Sequence, residues 1–143
     1  MARVIFWDVD TQYDFMHPDG KLYVPEAERV ITNLQRLTDY AHGHGIRIVA
    51  SADDHVMGHP EISDKPDWQS TFPAHCMRGT PGQKKIAETA LRDPLVIEPA
   101  KTDAKALADR LRAHQGRCRR PDLNFRRPIC FFPPPSRSRR STS

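Results

Sequence analysis

Three carboxylates follow an apolar run at the start of the chain. Asp8, Asp10 and Asp14 lie within or just beyond residues 4–9, which are rich in β-branched and aromatic side chains. Such a run predicts a buried strand of a parallel sheet, central and covered on both faces. Ligands bind beyond the carboxyl ends of such strands. Asp10 is therefore a candidate for chemistry, whereas Asp8 and Asp14 also suit turn or helix-cap positions.

A second group of side chains, which could bind a metal ion, follows the next predicted strand, residues 46–52. Alternate residues of an extended segment project to the same side, so Asp53 and His55 can share one ligand while Asp54 faces away. Further imidazoles follow at His59 and His75. A carboxylate and imidazoles with open positions are typical of a site for zinc, iron or manganese. The sequence therefore predicts a divalent metal site here.

The elements that must position these groups follow a strand–helix alternation. Apolar residues at helical spacing predict a helix over residues 25–41, and glycines follow it. Residues 53–79 predict a long functional loop. A capping-box spacing predicts a helix from residue 80 to about residue 91, before a strand at 95–98 and a helix from Asp103. The fold class expected is α/β, an incomplete doubly wound, Rossmann-like parallel sheet with flanking helices.

Charge divides the chain of 143 residues into two unequal parts. Residues 1–115 carry 14 Lys and Arg against 17 Asp and Glu, whereas residues 116–143 carry 8 Arg against one Asp. We expect 1–115 to form the folded domain and 116–143, rich in Arg, Pro and Ser, to be disordered. This abrupt change fits a frame-shifted or truncated reading of a longer gene. A nucleic-acid-binding tail is the less favoured alternative, so nucleic acid is not an expected partner.

The number of cysteines and the pattern of apolar residues predict the cellular compartment of the protein. Three cysteines without C-x-x-C spacing predict neither a disulfide framework nor a zinc knuckle, which favours a reducing cytosol. No basic-then-apolar signal region opens the chain, and no apolar run reaches membrane-spanning length. We therefore expect a soluble, cytoplasmic protein without a membrane partner.

Three segments, taken together, resemble the isochorismatase-like cysteine hydrolases, in particular the nicotinamidase branch. Residues 10–15 read D-T-Q-Y-D-F and are similar to the opening D-x-Q-x-D-F motif of that family. Residues 53–55 match its D-x-H motif, and residues 72–82, F-P-A-H-C-M-R-G-T-P-G, match its W-P-x-H-C-x-x-G-T-x-G segment. The resemblance runs over roughly residues 3–100 and implies an isochorismatase-like hydrolase fold.

The resemblance also implies a reaction, the hydrolysis of a small amide such as nicotinamide through a thioester. A cysteine thiolate attacks the carbonyl carbon, Asp10 shuttles the proton, and a lysine, here Lys101, steadies the charges. The ion holds the ring nitrogen of the substrate, and Trp68 and Phe72 either line the pocket against that ring or only pack the loop. The implied metal ligands are Asp53, His55 and His75, with His59 as a possible fourth.

The chain departs from the family pattern in two places. An alternative alignment puts an arginine, within 119–120, where the lysine belongs, and arginine does not replace lysine there. The G-x-x-T-x-x-C turn of the nucleophile is missing, Cys76 matches a non-nucleophilic cysteine, and Cys118 and Cys130 lie in the predicted tail. The alternative function is therefore an inactive fragment that retains metal and ligand binding. A sheet edge left open would favour homo-oligomers.

Overall fold

Within the described residues, four parallel strands form one sheet. The computed structural model describes residues 4–98, 103–117 and 129–131. The strands pair in the order β1-β2-β4-β3, and each pairing is parallel. Their bounds are β1 Ile5–Asp8, β2 Arg47–Ser51, β3 Leu95–Ile97 and β4 Ile129–Phe131. The parallel pairing of β1 with β2 confirms the predicted strand–helix–strand crossover, with Phe6 opposite Ile48.

In the part of the chain that the structure describes, three α-helices lie between these strands. A single turn, α1, spans Tyr13–Met16, the crossover helix α2 spans Ile31–Gly43, and α3 spans Ala104–Arg117. A 3-10 turn, Ala27–Val30, leads into α2, which packs against β2. Gly45 follows with φ +62°, a left-handed conformation that suits glycine and ends the helix. No helix in the described ranges is long and apolar enough to cross a membrane.

The helix predicted from residue 80 to about residue 91 is wrong. The structure has two 3-10 turns there, Pro81–Gln83 and Ala87–Thr89, separated by extended backbone at Lys84. The segment binds the chain just before α1 instead: the Lys84 carbonyl accepts from Tyr13 N at 2.9 Å, and Ile86 N donates to the Thr11 carbonyl at 3.0 Å. Because these tertiary hydrogen bonds use the same backbone groups, they replace the helical ones.

The prediction that the first strand is central and covered on both faces is also wrong. Within the described ranges, β1 stands at the end of the strand order and pairs with β2 alone. Ile5 and Trp7 are 54% and 66% exposed. An apolar run indicates that a strand can be buried, but the cover must come from other segments.

Strand β4 falls inside the segment predicted to be disordered. Residues 129–131 pair with β2 on one side and with β3 on the other. The prediction for 116–143 therefore fails at these three residues and at residues 116–117, which form the end of the helix Ala104–Arg117. Cys118, the arginines near it and the Pro- and Ser-rich end lie outside the described residues.

The carboxylate of Asp14 ties α1 to two distant backbone segments. Its oxygens accept from Cys76 N at 2.7 Å and from Lys21 N at 3.1 Å, and the residue is 5% exposed. Gly82 lies directly against this carboxylate, so a Cβ at that position would collide with it. The close approach explains why glycine stands there.

We expect Gly82→Ala to destabilise the fold by about 1–3 kcal/mol, because the added methyl group must displace the buried Asp14 carboxylate. Urea unfolding followed by circular dichroism measures the change. The control is Gly43→Ala at the end of α2, where a Cβ meets nothing within 4 Å. That variant should be neutral or more stable by up to about 1 kcal/mol. Equal stabilities for both variants would contradict the collision.

Candidate metal centre and active site

The return of the long loop brings His75 beside the chain that leaves β2. His55 N donates to the Cys76 carbonyl at 3.2 Å, and Arg78 N donates to the His55 carbonyl at 2.8 Å. Residues 55 and 77 thus form a parallel bridge. This backbone pairing places His75, twenty residues further along the chain, in contact with Asp53 and His55.

Asp53, His55 and His75 converge at one point. Asp53 Oδ2 lies 3.6 Å from His55 Nε2 and 3.7 Å from His75 Nε2, and one ligand atom from each residue lies within 4.8 Å of the others. Both imidazoles are buried. Tetrahedral zinc with bonds of roughly 2.0–2.1 Å separates its ligand atoms by roughly 3.3 Å. The observed spacing is slightly wider and suits such an ion.

The hydrogen bonds of His75 favour a cation at this point. His75 Nδ1 lies 2.8 Å from the Pro73 carbonyl, which can only accept, so Nδ1 carries the proton of the neutral ring. The lone pair of Nε2 then faces the Asp53 carboxylate. His55 Nε2 is buried and has no hydrogen-bond partner. Acceptors that converge without a donor need a proton or a metal ion between them, so these residues fit a divalent ion.

The charges in the cluster support the same conclusion. Burial opposes ionisation of Asp53, but His55 and His75 outweigh it and hold the pKa of Asp53 well below its usual range. Burial likewise disfavours the charged form of His75, yet Asp53 and the Pro73 carbonyl raise the pKa of His75. Asp53 is therefore an anion at neutral pH, ready to hold a cation.

The buried amide of Gln12 fixes Asp53 in place. Its Nε2 donates to the Asp53 carbonyl at 2.9 Å and to the Gln83 carbonyl at 2.6 Å, while its Oε1 accepts from Asp53 N at 2.5 Å. Only a side chain with both donors and an acceptor can make this set of bonds. Asp54 faces away, as predicted, and pairs with Arg78, whose guanidinium lowers the pKa of Asp54.

His59 does not join this group. It lies on the opposite side of the His55 ring, where the two Nδ1 atoms are 3.3 Å apart. The structure therefore does not bring the predicted fourth ligand to Asp53. Glu61 shares that side, with Oε1 3.2 Å from His55 Nδ1. Sequence reasoning missed Glu61 because the loop has no periodicity to show which side chains turn inward.

The two aromatic residues of the loop lie at different distances from the candidate metal ligands. The Phe72 ring lies edge-on to His75, with centroids 6.2 Å apart, so it flanks the metal ligands. Trp68 contacts Phe72 edge-on at 6.5 Å and is 62% exposed. Phe72 is thus placed beside the site, and Trp68 lies one ring further out.

Asp10 lies at the carboxyl end of β1, as expected. Its φ is +49°, and its Oδ1 accepts from Ser51 Oγ at 2.6 Å. A non-glycine residue in this region is held by its surroundings, which is common at functional sites. Ser51, the last residue of β2, therefore orients the Asp10 carboxylate.

The predicted lysine, Lys101, lies outside the described residues. A different lysine reaches the end of the sheet: Lys85 Nζ is 3.1 Å from Asp8 Oδ2 and donates to the Ser51 carbonyl at 3.0 Å. Both side chains of the pair are nearly buried. No local pattern indicated Lys85, because the segment that contains it was predicted to be a helix.

Cys76 is not placed to act as a nucleophile. The residue is fully buried, its thiol faces the Gly82 carbonyl, and burial raises the pKa of the Cys76 thiol far above its usual range. A neutral, enclosed thiol is inert. Cys118 lies outside the described residues.

We expect iodoacetamide to leave Cys76 unmodified in the folded protein and to modify it in urea, because access and ionisation both require unfolding. Peptide mass spectrometry of the digested chain reads each cysteine separately. Rapid native labelling of Cys76 would contradict its burial.

Comparison with known proteins shows which class of fold this chain has. No family model matches the chain. An isochorismatase-like hydrolase from Alkaliphilus metalliredigens superposes with a TM-score of 0.52 at 23% identity, over 64% of this chain and 48% of that one. The α/β fold is therefore that of an isochorismatase-like hydrolase.

Closer relatives narrow the class. The nicotinamidase/pyrazinamidase of Mycobacterium tuberculosis is 36% identical over 78 residues, 52% of this chain and 39% of that protein. The pyrazinamidase of Pyrococcus horikoshii, solved in complex with zinc, superposes with a TM-score of 0.52 at 29% identity, over 59% of this chain and 45% of that one. The chain spans less than half the length of these relatives. Over this part of its length the chain is similar to the nicotinamidase-like branch of the isochorismatase-like hydrolases.

Proposed function

We propose that this chain is a small-amide hydrolase of the nicotinamidase type that holds a divalent metal ion at Asp53, His55 and His75. The observation that carries the proposal is the convergence of two buried imidazole nitrogens on Asp53 Oδ2 at 3.6 and 3.7 Å. The zinc complex of the Pyrococcus pyrazinamidase supports a divalent ion, and zinc, iron and manganese all suit these ligands. When bound, the ion would supply a positive charge that orients the substrate.

The chain's own residues would handle the substrate and its proton. Phe72, beside His75, offers an apolar edge for the ring of an aromatic amide such as nicotinamide. The attacking thiol would be that of a cysteine other than the enclosed Cys76. Asp10, held by Ser51, would take the proton of that thiol and give it to the departing ammonia. Water would then cleave the thioester to the acid and restore the thiol.

A second candidate function is metal and ligand binding without turnover. It is favoured by the burial of Cys76, whose enclosed thiol is not placed to act as a nucleophile. Loss of the nucleophile of a covalent mechanism removes most of the rate while the binding residues stay in place.

The metal site is tested by elemental analysis of the purified full chain. We expect about one zinc, iron or manganese per chain in the wild type, and loss of that metal in His75→Ala and Asp53→Asn, because each variant removes one of three ligands. The matched control is His44→Ala, an exposed histidine that stacks on Tyr40. Full metal content in His75→Ala would contradict the site.

Ammonia release from nicotinamide separates the two candidate functions. The hydrolase predicts release that falls at least about 100-fold in Asp10→Asn, since the amide cannot carry the proton. Asparagine tolerates the left-handed conformation at this position, so the variant should fold. A metal-loaded wild type without ammonia release would establish binding without turnover and overturn the hydrolase.

A further inference from the structure

His55 faces acidic groups on both sides of its ring. Nε2 points to Asp53, as described, while Nδ1 lies 3.2 Å from Glu61 Oε1 and 3.3 Å from His59 Nδ1. The ring is buried, so water cannot satisfy these nitrogens freely. Which nitrogen carries the proton therefore depends on the neighbours of Nδ1.

Glu61 decides the position of that proton. Glu61 Oε1 lies 3.2 Å from His55 Nδ1, and a carboxylate oxygen can accept a hydrogen bond from that nitrogen. His59 Nδ1 lies at a similar distance, 3.3 Å, and a carboxylate is the stronger acceptor of the two. A proton held on Nδ1 in this way leaves the lone pair of the His55 ring on Nε2, directed at the candidate metal position.

The backbone around Glu61 fixes this contact. Phe72 N donates to the Glu61 carbonyl at 2.7 Å, and Ser63 N donates to the Phe72 carbonyl at 2.9 Å, so residues 61–63 form a short bridge with residue 72. The Glu61 side chain is 18% exposed. The loop thus holds the carboxylate against the ring from one side while Phe72 packs near His75 on the other.

We propose that Glu61 is a positioning residue that sets the tautomer and the orientation of His55 for a divalent cation, and that His59 is not a ligand of that cation. The proposal rests on the metal site of the proposed function. A hydrogen-bonded carboxylate behind a ligating imidazole fixes the ring and makes the metal-facing nitrogen more basic, and removal of such a partner typically weakens metal binding by about 10–100-fold.

Zinc affinity, measured by competition with a chromophoric chelator, gives the first test. We expect Glu61→Ala to bind zinc about 10–100-fold more weakly than the wild type, and Glu61→Gln, which keeps an acceptor oxygen, to lose less. The matched control Glu26→Gln changes an exposed glutamate paired with Arg29 and should bind normally. His59→Ala should also bind zinc with an affinity within about threefold of the wild type, a much smaller change than the loss expected for Glu61→Ala. Unchanged affinity in Glu61→Ala would overturn the proposal.

The absorption spectrum of the cobalt-substituted protein separates positioning from direct ligation. We expect the visible bands of Glu61→Ala to keep the position and intensity of the wild type once the site is saturated, because the ligand set is the same. A change in band intensity that reports a lost ligand would show that Glu61 binds the ion itself and would overturn the positioning role.

Nitrogen chemical shifts of the His55 ring, measured on metal-free protein above the ordinary imidazole pKa, give a readout that needs no metal. We expect the Nδ1–H tautomer in the wild type and a shift toward Nε2–H in Glu61→Ala. An Nε2–H ring in the wild type would overturn the role of Glu61. A wild type that binds no zinc would instead overturn the metal site. The tautomer of His55 would still show whether Glu61 accepts a hydrogen bond from Nδ1.

Discussion

The buried amide of Gln12 holds the site together. It binds both backbone groups of Asp53 and the carbonyl of Gln83, so it joins the chain before α1, the end of β2 and the 3-10 turn Pro81–Gln83. Asp14, two residues on, accepts from Cys76 N and fixes the returning loop. Asp53 and the segment that carries His75 are therefore both attached to the short stretch from Gln12 to Asp14. Buried polar side chains of this kind are costly unless all their bonds are made, and here each makes several.

The cluster that this frame supports is unfavourable as an assembly of acceptors alone. Two imidazole nitrogens and a carboxylate oxygen meet there, and His55 Nε2 has no hydrogen-bond partner. A cation bound between these acceptors relieves the repulsion among them. Burial alone would raise the pKa of Asp53, but His55 and His75 lower it, so Asp53 is held as an anion that a cation can bind. The fold thus stores an arrangement whose free energy improves when a cation binds.

The two aspartates at the carboxyl end of β1, Asp8 and Asp10, have different kinds of partner. Asp8 pairs with Lys85, and Lys85 also donates to the Ser51 carbonyl, whereas Asp10 accepts from the Ser51 hydroxyl. Ser51 is thus the link between a structural ion pair and the candidate catalytic carboxylate. Asp8 is thus ion-paired with Lys85, whereas Asp10 is held by a neutral hydroxyl group.

The sequence by itself determined the elements whose signals are local. The apolar runs of β1, β2 and β3 and the helical spacing of α2 were sufficient, since each pattern repeats within a few residues. Residue types after β2 and in the loop likewise indicated Asp53, His55 and His75. The tertiary structure alone decided that residues 80–91 pair with residues 11–13, that β1 ends the strand order within the described residues, and that Glu61 lies beside His59 at Nδ1 of His55. These outcomes depend on which distant backbone and side-chain groups meet, and hydrogen bonds between segments far apart in the chain leave no periodic trace in either segment.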